Sequence, residues 1–250
     1  MMAINKKTEL RFVKTGSVPS REDYLYMGGD PSVVHQGVVP LFYMRTDDGV
    51  VLIDSSFDLK DAEVLGIAGE VMREEAEDPI GALSQVGIQP SDVSHLILTH
   101  AHFDHVGFVD AFPRAVIYIH RKELEWVMDL PSWAIGYGEF SSRKLNRVYD
   151  QLRVIDTDFY EVLPGIMVHY VGGHAPGCMV VQVETNTGTV CLCGDNCFIY
   201  KNIEEQLPIG LYVDLYEVMA FIKRLPTMGD ILLPGHDPEM YTRYPDGVIR

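Results

Sequence analysis

The segment that most constrains this chain is residues 99–107, THAHFDHVG, which places three histidines and one aspartate within six positions. The apolar residues that lead into it predict a short buried strand. His100 and His102, at i and i+2, point the same way if the backbone stays extended after that strand. Asp104 and His105, displaced by a turn, are expected to face a second ion beside the first. Imidazole and carboxylate together suit Zn²⁺, and also manganese, iron or cobalt, so the segment predicts a metal site.

The pattern HAHFDH matches the HxHxDH motif of the metallo-β-lactamase superfamily, and the chain resembles that family from about residue 38 to 237. Three later segments complete the resemblance: GHAPG at 173–177, Gly-Asp at 194–195 and Pro-Gly-His at 234–236. The resemblance implies a first metal held by His100, His102 and His174, a second held by Asp104, His105 and His236, and Asp195 shared between them. Asp54, which closes an early strand, matches the family's buried aspartate beside the ligands.

The resemblance also implies an α/β fold, the four-layer αββα sandwich of the metallo-β-lactamase type. At 250 residues, the chain is predicted to form a single domain over 1–250. Strands are predicted at 38–44, 50–53, 95–99, 115–119, 166–171, 179–184, 189–192 and 230–233. Helices are predicted at about 61–85, 106–111, from 121 onward, and 215–224. Residues 131–149 fit either a lid over the pocket or a helical surface excursion.

The composition excludes several classes of partner. The formal net charge of −16 repels phosphate backbones and anionic lipids, so nucleic acid is not an expected partner. No apolar run approaches a membrane span, and the amino terminus lacks the apolar stretch of a secretory signal, so a cytoplasmic protein is expected. The four cysteines are then reduced, and their spacing favours core thiols over a thiolate metal site. A monomer or homodimer acting on a small molecule is expected. The four cysteines are Cys178, Cys191, Cys193 and Cys197.

Two ions roughly 3.5 to 4 Å apart share one water molecule, lower its pKa toward neutrality and direct it at a carbonyl carbon. We expect Asp195 to fix the metal bridge and Asp104 to relay a proton to the leaving group. Within the superfamily the chain most resembles the N-acyl-homoserine lactonase group. The resemblance implies a dinuclear metal-dependent hydrolase that opens a cyclic ester.

The chain departs from that group at two positions. The group usually carries a tyrosine three residues after the bridging aspartate, where this chain has Phe198, which donates no hydrogen bond. Tyr200 is the candidate replacement, with a core or surface tyrosine as the alternative. The histidine often found four residues after the third metal histidine is Cys178 here, which is expected to alter metal tuning without removing a ligand. The remaining histidines match no ligand position: His35, His95, His120 and His169.

Other functions compatible with the motif stay open at the level of sequence. A thioesterase similar to glyoxalase II, an esterase or a cyclic amidase would use the same two metals. An oxygenase similar to persulfide dioxygenase would use a single iron and consume oxygen. A binding module of this fold is disfavoured because all seven candidate ligands are present.

Overall fold

A six-stranded mixed sheet contains most of the first half of the chain in the computed structural model, which describes residues 9–129 and 139–250. Its strands, in spatial order, are β1 Leu10–Arg21, β2 Val34–Thr46, β3 Gly49–Ile53, β4 Val93–Ile97, β5 Val116–His120 and β6 Leu152–Ile155. The first three pair antiparallel, and β3 to β6 pair parallel. The carboxyl ends of β3 and β4 therefore lie side by side at one edge.

A five-stranded sheet contains the second half, in the spatial order β11-β10-β9-β8-β7. Its strands are β7 Phe159–Leu163, β8 Ile166–Tyr170, β9 Met179–Thr185, β10 Gly188–Leu192 and β11 Ile231–Leu233. Only β10 and β11 pair parallel, so their carboxyl ends also share one edge. The connection between them contains two of the helices.

Helices cover the outer faces of the two sheets and cap their edges. They are α1 Glu22–Leu25, α2 Leu59–Leu65, α3 Pro79–Gln85, α4 Phe103–Val106, α5 Arg121–Met128, α6 Glu139–Arg147, α7 Tyr200–Glu204, α8 Leu215–Arg224 and α9 Met240–Arg243. Apolar side chains of both sheets, among them Ile53 and Val181, pack into one buried cluster between the sheets. A second cluster joins the first sheet to α3, α5 and α6, and a third joins the second sheet to α8. These layers form the predicted αββα sandwich.

Two local predictions hold because their signals are short-range. The strands at 38–44 and 50–53 form the hairpin of β2 and β3. Helix α8 has the predicted bounds: the Asp214 carboxylate accepts hydrogen bonds from the first-turn amides, and Val218, Phe221 and Ile222 form its buried face.

The continuous helix predicted over 61–85 is wrong. Helix α2 ends at Gly66, whose φ of 77° is the left-handed conformation that glycine adopts without strain. Helix α3 starts anew at Pro79 after the Asp78 side chain caps the amide of Gly81. The helix predicted over 106–111 is also displaced, because α4 begins at Phe103 and only a 3₁₀ turn covers 109–111.

Of the segment 131–149, predicted as a lid or a surface helix, residues 131–138 lie outside the described residues. Its later part contains α6. All four cysteines are buried free thiols, as predicted for core residues. Within 9–129 and 139–250, no helix has both the length and the apolar content of a membrane span.

Candidate metal centre

The ends of β4, β8, β10 and β11 and the start of α4 deliver seven ligand-type side chains to one place. The backbone leaves β4 extended, with His102 at φ −69° and ψ 159°, before α4 begins. Asp104 and His105 then lie in the first turn of that helix, so they point to a different position from His100 and His102. The other three side chains follow the strands of the second sheet. They are His174, Asp195 and His236.

The seven side chains form two adjacent groups, and the potential ligand atoms within each group lie within 4.8 Å of one another. The first group is His100, His102, His174 and Asp195, and the second is Asp104, His105 and His236. The structure thus brings together the residues that the resemblance implied for each metal, with Asp195, which the resemblance shares between both metals, in the first group.

The carboxylate of Asp195 lies between the two groups. Its Oδ2 is 3.2 Å from Nε2 of His174 and 3.6 Å from Nε2 of His100. Its Oδ1 is 3.0 Å from Nε2 of His236 and 3.4 Å from Nε2 of His105. One oxygen therefore faces each group, which is the geometry that a bridging carboxylate needs.

Hydrogen bonds on the far side of the rings orient the imidazoles. Nδ1 of His174 donates to the carbonyl of Leu211 at 2.9 Å, and Nδ1 of His236 donates to the carbonyl of Val38 at 2.8 Å. Nδ1 of His105 donates to Oδ2 of Asp54 at 2.8 Å. Each bond assigns the proton to Nδ1 and directs Nε2 at the centre, as in most histidines that bind metal ions.

Buried nitrogen atoms at the centre lack the partner that a cation would supply. Nε2 of His100 and Nε2 of His105 are buried and have no hydrogen-bond partner in the part of the chain that the structure describes. Nδ1 of His102 and Nε2 of His174 face each other at 3.0 Å. Buried polar atoms are almost always paired, and imidazole with carboxylate is a donor set that Zn²⁺ favours. The residues present fit two divalent cations.

The electrostatics of the first group favour neutral ligands. Burial lowers the pKa of His100 and His102 well below the usual histidine value, and neighbouring imidazoles add to the effect. Burial alone would raise the pKa of Asp195, but the charges of His105 and His236 outweigh it and hold that pKa well below its usual range. A neutral imidazole beside an ionised carboxylate is the protonation state that binds a metal.

In the second group the histidine pKa values shift in the opposite direction, upward. Burial alone would lower the pKa of both histidines, but the carboxylates around them, that of Asp195 foremost, raise the pKa of His105 well above its usual value and that of His236 above it. These directions favour the protonated form of both histidines in the metal-free protein, so a cation that binds there displaces protons.

Proton release on metal binding tests this assignment. Adding Zn²⁺ to metal-free protein at pH 7 is expected to release about one proton or more per chain into weakly buffered dye, because bound metal requires the neutral imidazole. The release should shrink as the pH is raised through the elevated pKa values, since fewer protons remain to displace. The variant His169→Gln, changed outside both groups, should release as many as the parent. Metal uptake without any dye response at pH 7 would contradict the assignment.

Two acidic residues support the centre without joining it. Asp54, at the end of β3, accepts hydrogen bonds from the amide and hydroxyl of Thr99 and orients His105, in the role that the resemblance implied. Glu123, in the first turn of α5, is fully buried; Oε1 accepts from the amide of Ala101 and Oε2 from the amide of Gly177, both at 2.8 Å. Glu123 therefore ties the loop of the first two histidines to the loop of the third.

Sequence reasoning missed Glu123 because an acid in the first turn of a helix ordinarily interacts with the helix dipole at the surface. Glycine at 177 is the one available hint: a Cβ there would lie 2.2 Å from the backbone nitrogen of Glu123, so only glycine allows this approach. Burial raises the pKa of Glu123, and the two amide hydrogen bonds oppose that shift.

Removing the Glu123 carboxylate should weaken metal binding although it is not a ligand. Glu123→Ala leaves two buried amides unpaired, at about 1–3 kcal/mol each, and loosens both histidine loops. Metal affinity is expected to fall about 10- to 100-fold, as for other groups that orient ligands, measured by competition with a chromogenic chelator. The metal affinity of Glu123→Gln should lie between those of the parent and of Glu123→Ala, because the oxygen of the glutamine side chain still accepts one of the two hydrogen bonds. Glu125→Ala is the matched control, since this side chain of the same helix is 67% exposed. Parent affinity in Glu123→Ala would refute the role.

A chamber of about 340 Å³ opens over the centre. His102, Asp104, His174, Asp195 and His236 lie on its wall. The rest of the wall is mostly apolar: Val18, Pro19, Leu25, Leu65, Ile67, Phe103, Phe198 and Leu211. A larger concavity of about 510 Å³ lies over the second sheet and contains none of the seven side chains. Only the first of these can present a ligand to the candidate metal ions.

The structure does not bring Tyr200 to the chamber. Its ring packs in the core between the sheets with the Arg243 guanidinium 3.5 Å from the ring centroid, and its hydroxyl is buried without a partner among the described residues. The hydroxyl therefore cannot reach a substrate, and the alternative of a core tyrosine is the one the structure supports. Phe198 does line the chamber, with its ring edge-on to His174 at 5.3 Å. Cys178 is buried outside both groups.

The four histidines without a predicted ligand role also lie outside the two groups. His35 is exposed beside Glu22, and Nδ1 of His95 is 3.1 Å from the Tyr118 hydroxyl. His120 caps α5 and His169 contacts Gln182.

The chain matches a known family over most of its length. The model of the metallo-β-lactamase superfamily matches residues 36–238. The N-acyl homoserine lactonase AiiA of Bacillus thuringiensis subsp. kurstaki is 28% identical over 211 residues, which are 79% of this chain and 80% of that protein. The N-acyl homoserine lactonase AttM of Azorhizobium caulinodans is 24% identical over 253 residues, covering 94% and 95% of the two chains.

Solved structures share the fold. One is an N-acyl homoserine lactone hydrolase with the product N-hexanoyl-L-homoserine at its catalytic metal centre; it has a TM-score of 0.82 and 24% identity, over 98% of this chain and 100% of that chain. Another is AidC, a dizinc quorum-quenching lactonase, with a TM-score of 0.75 and 16% identity over 97% and 90% of the chains. At these identities the likeness establishes the fold.

Proposed function

Because this chain belongs to the metallo-β-lactamase superfamily, we propose that it is a dinuclear metal-dependent hydrolase that opens a lactone ring, with N-acyl homoserine lactones as the leading substrate class. The observation that carries the proposal is the Asp195 carboxylate, which directs one oxygen at each of two ligand groups. The curated relatives, which are N-acyl homoserine lactonases, support the choice of substrate.

The residues present would hold two cations, most simply Zn²⁺, with manganese, iron or cobalt also suited to the ligand set. Such a pair, when bound, lowers the pKa of a shared water toward neutrality and polarises the carbonyl of the substrate. Asp195 fixes the separation of the two sites. His174 and His236 hold their positions through the carbonyls of Leu211 and Val38.

Asp104 has the position needed to handle the proton. Its Oδ1 lies 3.7 Å from Nε2 of His105, and its Oδ2 lies 3.7 Å from Nε2 of His236. The side chain also lines the chamber. In lactone hydrolysis, water adds to the carbonyl carbon, the bond from that carbon to the ring oxygen breaks, and the ring oxygen takes up a proton. Asp104 receives the proton from the water and passes it to the ring oxygen.

The apolar wall suits an acyl chain. Leu25, Leu65 and Ile67 line the chamber together with the ligands, and they offer apolar surface that a hydrocarbon chain would cover. Each buried CH₂ contributes about 0.8 kcal/mol to binding. We therefore expect KM to fall with acyl-chain length until the chamber is filled.

A substrate panel tests the proposal. Protein reconstituted with Zn²⁺, and shown to bind about two ions per chain, is mixed with N-acyl homoserine lactones, carboxyl esters, thioesters and cyclic amides in weak buffer with a pH indicator. Ring opening yields a carboxylic acid, so lactone turnover acidifies the solution. Lactones are expected to give the highest kcat/KM. Faster thioester hydrolysis would favour a glyoxalase II-like enzyme, and oxygen uptake with a persulfide and one iron per chain would favour an oxygenase; either result would overturn the proposal.

A further inference from the structure

The chamber wall contains few polar groups other than the candidate ligands. Among the described wall residues, Ser20 and Tyr24 are the only ones with a hydroxyl group. Both lie at the end of β1 or just after it, in the amino-terminal part of the chain. Neither hydroxyl forms a hydrogen bond with another described residue, although most polar side chains near a buried site find a partner. Their donors are therefore available to a bound molecule.

The Ser20 hydroxyl lies close to the Cβ of His236. Oγ of Ser20 lies 3.4 Å from the point that a Cβ of residue 37 would occupy, and Cβ of His236 lies 3.2 Å from the same point. Because residue 37 is glycine, no side chain separates the hydroxyl from the histidine. Ser20 and His236 therefore lie close together on the chamber wall, so the Ser20 hydroxyl is near a residue of the second ligand group.

Tyr24 lies in α1, and the surrounding structure holds it in place. The Arg21 guanidinium packs 4.5 Å from the centre of its ring, and Arg21 is itself paired with Asp23. The backbone carbonyl of Tyr24 accepts hydrogen bonds from the amides of Gly210 and Leu211, and the Leu211 carbonyl orients His174. Tyr24 is 37% exposed and lines the chamber, so it lies where the chamber meets solvent.

An N-acyl homoserine lactone carries an amide between its ring and its acyl chain. When the substrate enters an apolar chamber, its amide and ester oxygens lose hydrogen bonds to water and need replacements. Phe198 on the wall cannot supply one. We propose, on the basis of the proposed function, that Ser20 and Tyr24 are specificity-determining residues that bind the polar atoms of the substrate, with Tyr24 donating to the amide carbonyl and Ser20 to the lactone ring.

Two conservative variants and two substrates test this inference. Tyr24→Phe and Ser20→Ala each remove one oxygen and little else, so the fold and the metal content should be unchanged. The substrates are an N-acyl homoserine lactone and an alkyl γ-lactone of equal length without the amide. Tyr24→Phe is expected to lower kcat/KM about tenfold for the first, since one lost hydrogen bond corresponds to about that factor, and less than about twofold for the second. Ser20→Ala should lower kcat/KM several-fold for both.

Tyr216→Phe is the matched control, because this tyrosine is 85% exposed on α8 and outside the chamber. Parent activity in both variants would overturn the inference and leave the lactonase proposal intact. An equal loss of kcat/KM on both substrates in Tyr24→Phe would also overturn it. A loss that does not depend on the substrate amide would indicate a general disturbance of the site. If the parent opened neither lactone, the proposed function would fail and this inference with it.

Discussion

Replacing Asp195 with alanine is expected to lower kcat/KM for lactones about a thousandfold or more. The two cations are expected to supply several kcal/mol of transition-state stabilisation, and at about 1.4 kcal/mol per tenfold a loss of about 4 kcal/mol gives that factor. The physical reason is that the Asp195 carboxylate faces both groups, with its oxygens 3.2 Å from Nε2 of His174 and 3.0 Å from Nε2 of His236. The measurement is steady-state kinetics together with metal content by mass spectrometry.

Asp195→Asn removes the charge of the carboxylate and nearly keeps the shape of the side chain. This variant should bind fewer than two ions per chain while the protein stays folded. Asp150→Ala serves as the control for loss of an aspartate, because Asp150 is exposed and belongs to neither ligand group. Folded Asp195→Ala protein with parent turnover and two bound ions would show that the carboxylate does not bridge the metals, and the proposed mechanism would then be wrong.

Removing the metals is expected to lower the melting temperature by about 10 °C. A ligand present at about 1,000 times its Kd stabilises the folded state by about 4 kcal/mol, and each kcal/mol shifts the midpoint by about 2–4 °C for a chain of this size. Without metal, the buried Nε2 atoms of His100 and His105 also have no hydrogen-bond partner among the residues that the structure describes. Thermal unfolding of the Zn²⁺-loaded protein, with and without a chelator in excess, measures the shift.

Restoring Zn²⁺ should restore the midpoint, which distinguishes metal loss from damage by the chelator. His169→Gln should show the same shift as the parent, because His169 lies outside both groups. A midpoint that does not move while both ions are lost would mean that the seven side chains contribute nothing to stability through the metals.

Agreement between sequence and structure is closest where the signal is local. Helix α8 was predicted with its observed bounds because its cap and its buried face lie within eleven residues, Asp214 to Arg224. The helix predicted over 61–85 failed because helical composition continued across Gly66 and Asp78, where local backbone geometry ends one helix and starts another. Strand β1 is not among the predicted strands, because no short-range pattern shows that residues 10–21 run for 12 residues along β2.

The sequence by itself indicated which residues could hold the metals: residue type and spacing pointed to the HAHFDH segment, and the resemblance to the superfamily added His174, Asp195 and His236. The tertiary structure alone decided what surrounds them. It buried Tyr200 in the core, placed Ser20 and Tyr24 on the chamber wall, and brought Glu123 between two histidine loops. The reason is physical: a ligand's identity is a property of one residue, whereas its neighbours depend on how segments far apart in the chain pack against each other.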